Sequence, residues 1–200
     1  MGNKFAEIAF TDTVKQLQDA DGSRKSYARM EEGEDTNNIL TERETAFIGM
    51  RDSFYMATVS ETGWPYMQHR GGPKGFVHAV DNKTLAIPDF NGNRQFVSVG
   101  NLRHDDRVSL FFMDYPNRAR LKMLGRVRTT DDADILESLA LSDYKAEIER
   151  AFLIDVAAFD WNCPQHITPR FTPDDIESYI TPLQDRIAVL EAELAAGAQG

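Results

Sequence analysis

The chain has 200 residues, 42% of them apolar, a single cysteine and a formal net charge of -10; this suits one domain with a sizeable core plus appended helices, and excludes an internal disulfide or a cysteine-rich zinc site. An acidic surface repels phosphate backbones, so nucleic acid is not an expected partner, and any bound phosphate needs a local basic cluster. No apolar run reaches the ~18 residues of a membrane span, and residues 1–7 lack the apolar stretch of a signal peptide, so the expectation is a cytoplasmic protein with no membrane partner.

Thr11 is placed to cap a helix carrying Val14 and Leu17, and Thr41 with Glu44 forms a capping-box pattern ahead of Phe47 and Ile48. The acidic, polar stretch 31–38 between them reads as a loop. From Ser53 the period shortens, and runs rich in aromatic and β-branched residues at 54–60, 64–70, 76–80, 84–88, 108–114 and 119–129 read as strands. Glu61-Thr62-Gly63 and Asp81-Asn82-Lys83 are turn sequences that make consecutive strands antiparallel. Residues 94–102 interrupt the series with a short helical pattern in which Phe96, Val99 and Leu102 recur three apart. Six or seven strands broken by one short helix favour a closed or split barrel over an alternating βαβ sheet. Asp131 is the expected cap of a helix carrying Ile135, Leu136 and Leu139, and 151–159 reads as an apolar strand.

The segment Asp160-Trp161-Asn162-Cys163-Pro164-Gln165-His166-Ile167-Thr168-Pro169-Arg170-Phe171 has neither period. Its prolines pin the backbone, while a ring, two amides, an imidazole and a guanidinium offer contacts to a ligand. After it, Thr172-Pro173 and Thr181-Pro182 each read as a cap followed by a first-turn proline, which predicts two C-terminal helices. Leu183, Ile187, Leu190 and Leu194 form a seam that would suit docking on the chain's own domain or on a partner subunit.

Two windows combine glycine with positive charge. In 68–76, Arg70 and Lys74 flank Gly71, Gly72 and Gly75 at a strand end, where a backbone can approach an anion or an electron-rich ring; a tight hairpin with its cations in water is the plainer alternative. In 89–95, Asp89-Phe90-Asn91-Gly92-Asn93-Arg94-Gln95 leaves a strand and enters the short helix, so free N–H groups, amides and a bidentate cation meet where a phosphate would fit. The plainer alternative there is an Asn-Gly turn with an exposed arginine. His69, His78, His104 and His166 are scattered without metal-ligand spacing, and no metal is expected. Cys163 suits either a redox thiol or a small packed side chain.

Taken together, 69–76, 86–101, 108–112, 121–127 with Gly125, and 161–170 resemble the FMN-binding split-barrel proteins of the pyridoxamine 5'-phosphate oxidase-like kind, in particular the oxidase-related branch with a similar Asn-Cys-Pro-Gln-His-Ile stretch. The resemblance implies a mainly β (α+β) fold, a six-stranded antiparallel split β-barrel over 41–171, with an N-terminal helical extension at 1–40 and a C-terminal helical tail at 172–200. It implies a homodimer with FMN bound at the subunit interface. Asn93, Arg94 and Gln95 would hold the phosphate; His69, Arg70 and Lys74 would run along phosphate and ring beside Pro88 and Asp89. From the other subunit Arg120, Trp161, Asn162, Gln165, His166 and Arg170 would close over the ring. Gly71-Gly72-Pro73 and the long tail depart from the authentic oxidases, so what carries over is the cofactor site. The implied activity is an FMN-dependent oxidoreductase with a small-molecule electron donor or acceptor, NADH or NADPH among the donors, and with no assigned catalytic side chain. A non-catalytic FMN-binding protein that buffers flavin or senses redox state is the alternative.

Overall fold

The computed structural model describes residues 2–32, 36–161 and 163–197. The chain divides into two compact units, residues 1–113 with 120–163, and residues 114–119 with 164–200. Among the described residues no helix is long and apolar enough to cross a membrane.

The first unit opens with short helices α1 (Lys4–Ala9), α2 (Asp12–Asp21), α3 (Arg24–Ala28) and α4 (Glu42–Gly49). Asn3, Thr11 and Thr41 cap α1, α2 and α4, each accepting backbone N–H bonds that would otherwise be orphaned. The capping box at α4 is complete, with Glu44 returning to the Thr41 amide at 3.1 Å. The strands are β1 (Ser53–Val59), β2 (Pro65–Gly71), β3 (His78–Ala79), β4 (Thr84–Phe90), β5 (Arg107–Asp114), β6 (Ala119–Thr130) and β7 (Ile148–Trp161), with α5 (Val97–His104) before β5 and α6 (Ala133–Ser138) before β7.

They form one sheet in the order β2-β1-β5-β6-β7-β4-β3, the α+β architecture of a split barrel. Six strands are full length, while β3 is only a two-residue pairing with β4. The strand expected at 76–80 shrinks to this because Phe76 leaves the edge and is buried in the core. Gly72 permits that turn: a Cβ there would lie 2.7 Å from the Phe76 ring.

Alternation sets the interior. Phe54 and Met56 of β1, Leu110 and Phe112 of β5, Leu121 and Met123 of β6, and Phe152 and Ile154 of β7 are all buried, and the Phe54 ring stacks on Phe112 at 5.0 Å. Residues 85–89 of β4 are buried on both faces, because Leu139, after α6, packs with Ala86 and Ala151 on the second one. Between the Leu124–Ala158 and Gly125–Val156 pairs Ala157 is an extra residue on β7, a bulge that bends β7 against β6. Only glycine fits at position 125, since a Cβ would come within 2.7 Å of the Ile154 side chain and 2.9 Å of the Asp155 carbonyl.

Three sequence expectations change. Asp132, not Asp131, caps α6, accepting from the Asp134 and Ile135 amides. The helix expected from residue 94 starts at Val97, because Arg94 and Phe96 take left-handed backbone angles (φ 56° and 55°) that no helix continues through. In the second unit the C-terminal region is one helix, α7 (Pro173–Gly197), with Pro182 inside it. Thr172 and Asp175 cap it reciprocally. Pro182 removes one backbone bond, the one to the carbonyl of Ser178, which is an exposed residue. The apolar seam of α7 is exposed, Leu183 and Leu194 most of all.

Candidate functional site

The residues on the interior face of β2 continue the core into a polar mouth. In the β1–β2 register Thr58, Met56 and Phe54 stand opposite Tyr66, Gln68 and Arg70. Arg70 crosses to a strand it is not paired with and binds Asp89 of β4, while its guanidinium lies 4.8 Å over the Phe152 ring. Asp89 also accepts from Arg150 of β7, its register partner, at 3.1 Å. A buried carboxylate thus holds two guanidiniums across the gap between β2 and the β4–β7 pair. Glu149 is an extra residue on β7 between the Asp89–Arg150 and Phe90–Ile148 pairs, a bulge at the lining of this mouth.

Helix α5 forms the adjoining wall. The Ser98 hydroxyl donates to Gln68 at 2.9 Å and the buried Asn101 amide to Thr58 at 2.9 Å, which pins the helix to β1 and β2. Phe96 provides no side-chain cap, so the N–H groups of Val97, Ser98 and Val99 open at the cleft that these residues line. The turn before the helix is shaped by the Asn93 side chain, which accepts from the Gln95 amide at 3.2 Å. Arg94 and Phe96, both left-handed with Gln95 between them, are strained residues beside a helix start, an arrangement found at anion-binding turns.

The resulting cleft holds about 220 Å³ and is lined by β2, β4, the 92–99 turn and the start of β7. Three guanidiniums, Arg70, Arg94 and Arg150, face two carboxylates, Asp89 and Glu149, leaving one positive charge in excess. Arg94 is the available cation: its side chain is 67% exposed and its nearest carboxylate, Glu149, is 3.9 Å away. Arg70 Nε is buried with no acceptor among the described residues. An orphaned charged donor, an uncapped helix start and an excess positive charge fit a phosphate monoester.

Of the residues singled out in the sequence, the cleft brings together Arg70, Asp89, Asn93, Arg94 and Gln95. His69 is one residue out of phase with Arg70 and exposed on the opposite face of β2, 5.6 Å from the Tyr55 ring. Lys74 is exposed in the turn after β2, and Pro88 is buried beside Asp89 but out of phase with it. Arg120 lies on β6 with its Nε buried and lacking an acceptor among the described residues. Trp161 ends β7 against α4: its indole donates to Glu44 at 2.7 Å, its ring meets Phe47 edge-on at 4.7 Å, and Arg43 stands 4.2 Å over it. Arg43, Glu44 and Trp161, with 36–39, Thr41 and Phe159, line a separate concavity. Burial pushes the Glu44 carboxyl up, but hydrogen bonds from the Thr41 hydroxyl, the Trp161 indole and the Thr41 amide outweigh it and hold the group below its ordinary value of 4.5. In the second unit Gln165 and His166 are exposed, His166 with φ 61°, and Arg170 lies 4.8 Å over the Tyr115 ring. Asn162 lies outside the described residues.

Residues 40–168 match the sequence profile described as pyridoxamine 5'-phosphate oxidase. The chain belongs to the pyridoxamine 5'-phosphate oxidase family. Two crystal structures of HupZ from Group A Streptococcus, one of a point variant, share the fold with this family member at a TM-score of 0.51. Their identities are 15% and 16%, covering 66% and 62% of this chain and all of theirs. An FMN-binding protein from Syntrophomonas wolfei aligns at a TM-score of 0.46 and 10% identity, over 72% of this chain and 97% of its own. No protein of curated function matches the chain.

In this member of the oxidase family Tyr66, Phe96, Ser98, Glu149 and Arg150 also line the cleft, as does Gln68 at the edge of the 68–76 window, though none was singled out in the sequence as a site residue. Tyr66 and Gln68 carried a signal, the period of two that ends at Arg70. Arg150 carried none, because its neighbour Asp89 is 61 residues away in the chain and meets it only through the β4–β7 register.

Proposed function

We propose that the cleft binds the phosphate end of flavin mononucleotide, that a second copy of the chain completes the flavin site, and that the protein is an FMN-dependent oxidoreductase acting on a small molecule. The observation that carries this reading is the strained turn at Arg94 and Phe96, delivering uncapped N–H groups and an under-paired guanidinium to a cleft with excess positive charge. The homodimer enters the reading because Arg120 and Trp161, expected over the flavin ring, do not line this cleft in their own chain, so a second copy would supply them as the wall over the ring.

In this reading Arg94 and the first N–H groups of α5 hold the phosphate, and Asp89 keeps Arg70 and Arg150 aligned beneath it. Asn93 shapes the turn and Gln95 adds an amide. Arg120, Trp161, Gln165, His166 and Arg170 reach the ring from the second copy, where donors stabilise negative charge and the indole excludes water. Bound FMN supplies the reversible two-electron chemistry; the side chains orient, desolvate and donate hydrogen bonds.

The test is the absorbance of the purified protein together with titration of the flavin-free protein by FMN, followed by quenching of flavin fluorescence. Quenching with a molar mass of two chains in light scattering is expected. A monomer that leaves flavin fluorescence unchanged ends the proposal. Anaerobic bleaching by NADH or NADPH then separates a catalyst from a protein that only stores or senses flavin.

A further inference from the structure

The cleft continues past Phe96. Phe96, Val99 and Arg150 also border a second concavity of about 410 Å³, completed by Gly100, Arg103 and Thr129. Its lining includes two guanidiniums and no carboxylate, unlike that of the first cleft.

Arg103 has no ion-pair or hydrogen-bond partner among the described residues, although Asp105 and Asp106 follow it closely in the chain. The nearby carboxylates are already engaged: Asp105 by Arg107 at 2.9 Å, and Asp106 by Arg126. The arginine that is left over is the one on the wall of the concavity.

Gly100 sits inside α5, where glycine is the weaker helix former, and a Cβ at that position would meet nothing within 4 Å. Packing within the chain therefore does not require glycine there. Its missing side chain leaves open the floor of this concavity. Phe96, 49% exposed, divides the two spaces, with the Arg150 guanidinium 5.6 Å over its ring. A half-exposed ring held by a left-handed backbone between two basic hollows suits a ligand that passes over it.

We propose that the Arg103 side of Phe96 is a second anion site, taking a phosphate or carboxylate that belongs either to the tail of a flavin nucleotide extended beyond its first phosphate or to a separate small reactant. The first source rests on the flavin reading above; the second does not.

The probes are inorganic pyrophosphate, FMN and flavin adenine dinucleotide. Pyrophosphate titrated into the full chain, followed by NMR of arginine side-chain Nε–Hε signals, is expected to move the signal lost in Arg103→Ala. Gly100→Leu should block that shift while leaving the melting temperature unchanged or raised, since the added side chain meets open space and leucine favours helix. If the anion is a cofactor tail, the dinucleotide binds about tenfold tighter than FMN, and Arg103→Ala and Gly100→Leu erase that margin without changing FMN affinity. If it belongs to a separate reactant, the two flavins bind equally and pyrophosphate still moves Arg103 in the FMN-loaded protein. An Arg103 signal that pyrophosphate leaves in place, with equal flavin affinities in wild type and variants, overturns the proposal. A protein that binds no flavin yet shows the Arg103 shift removes the flavin reading and keeps the second anion site.

Discussion

Replacing Arg94 by alanine tests the phosphate reading most directly. In the flavin-free chain this guanidinium is 67% exposed and meets Glu149 only at 3.9 Å, so the folded state draws about 0–1 kcal/mol from it. A bound phosphate would convert it to a charge-assisted, bidentate contact of about 1.5–3 kcal/mol, so Arg94→Ala should weaken FMN by roughly 10- to 150-fold. The loss should shrink at high salt, because part of it is screened Coulomb attraction. Arg94→Gly sharpens the test: glycine accepts the left-handed φ of 56° without strain, so this variant should melt higher, by about 1 kcal/mol of added stability, while binding FMN as poorly as the alanine variant. Fluorescence titration and thermal melts of the three proteins measure both quantities. An FMN affinity within twofold of wild type in both variants would refute the assignment, since no other cation in the cleft is as weakly paired.

Glu44→Gln should destabilise the fold by about 1–2 kcal/mol through loss of charge from the bonds to Thr41 and Trp161, read from urea melts at neutral pH. Because the folded carboxyl lies below 4.5, its contribution is complete above that value and is lost as pH falls through the lower folded value, so wild type and variant should converge in stability in that acid range. Gly125→Ala should cost about 1–3 kcal/mol, because the new methyl group meets Ile154 and the Asp155 carbonyl; a melting temperature equal to wild type would mean that the bulge is free to shift. Pro182→Ala restores the missing N–H in α7, and hydrogen exchange should slow around 178–182 with the sheet unaffected.

The local periods were legible in advance. β1, β2, β5 and β6 lie within a residue of their expected bounds at each end, because one buried face imposes a period of two on each. The capping box at Thr41 and Glu44 was legible because its partners are three residues apart. Local patterns misled where the decision was not local. Thr181-Pro182 looks like a helix start, yet it lies inside α7, where the proline removes a single backbone bond and the helix continues past it. The chain from 94 looks helical by spacing, yet two left-handed residues delay α5 to Val97.

For the site the division is similar. The sequence by itself determined that Arg70 and the Asn93-Arg94-Gln95 turn end strands with charge and glycine beside them, and that no long apolar helix competes with the barrel. Only the tertiary structure decided which faces meet. It turned His69 outward one residue from Arg70, set Trp161 against Glu44, and brought Arg150 onto Asp89. The physical reason is that a strand's period assigns a side chain to a face, whereas the partner across that face is chosen by strand order and register, which join residues far apart in the chain.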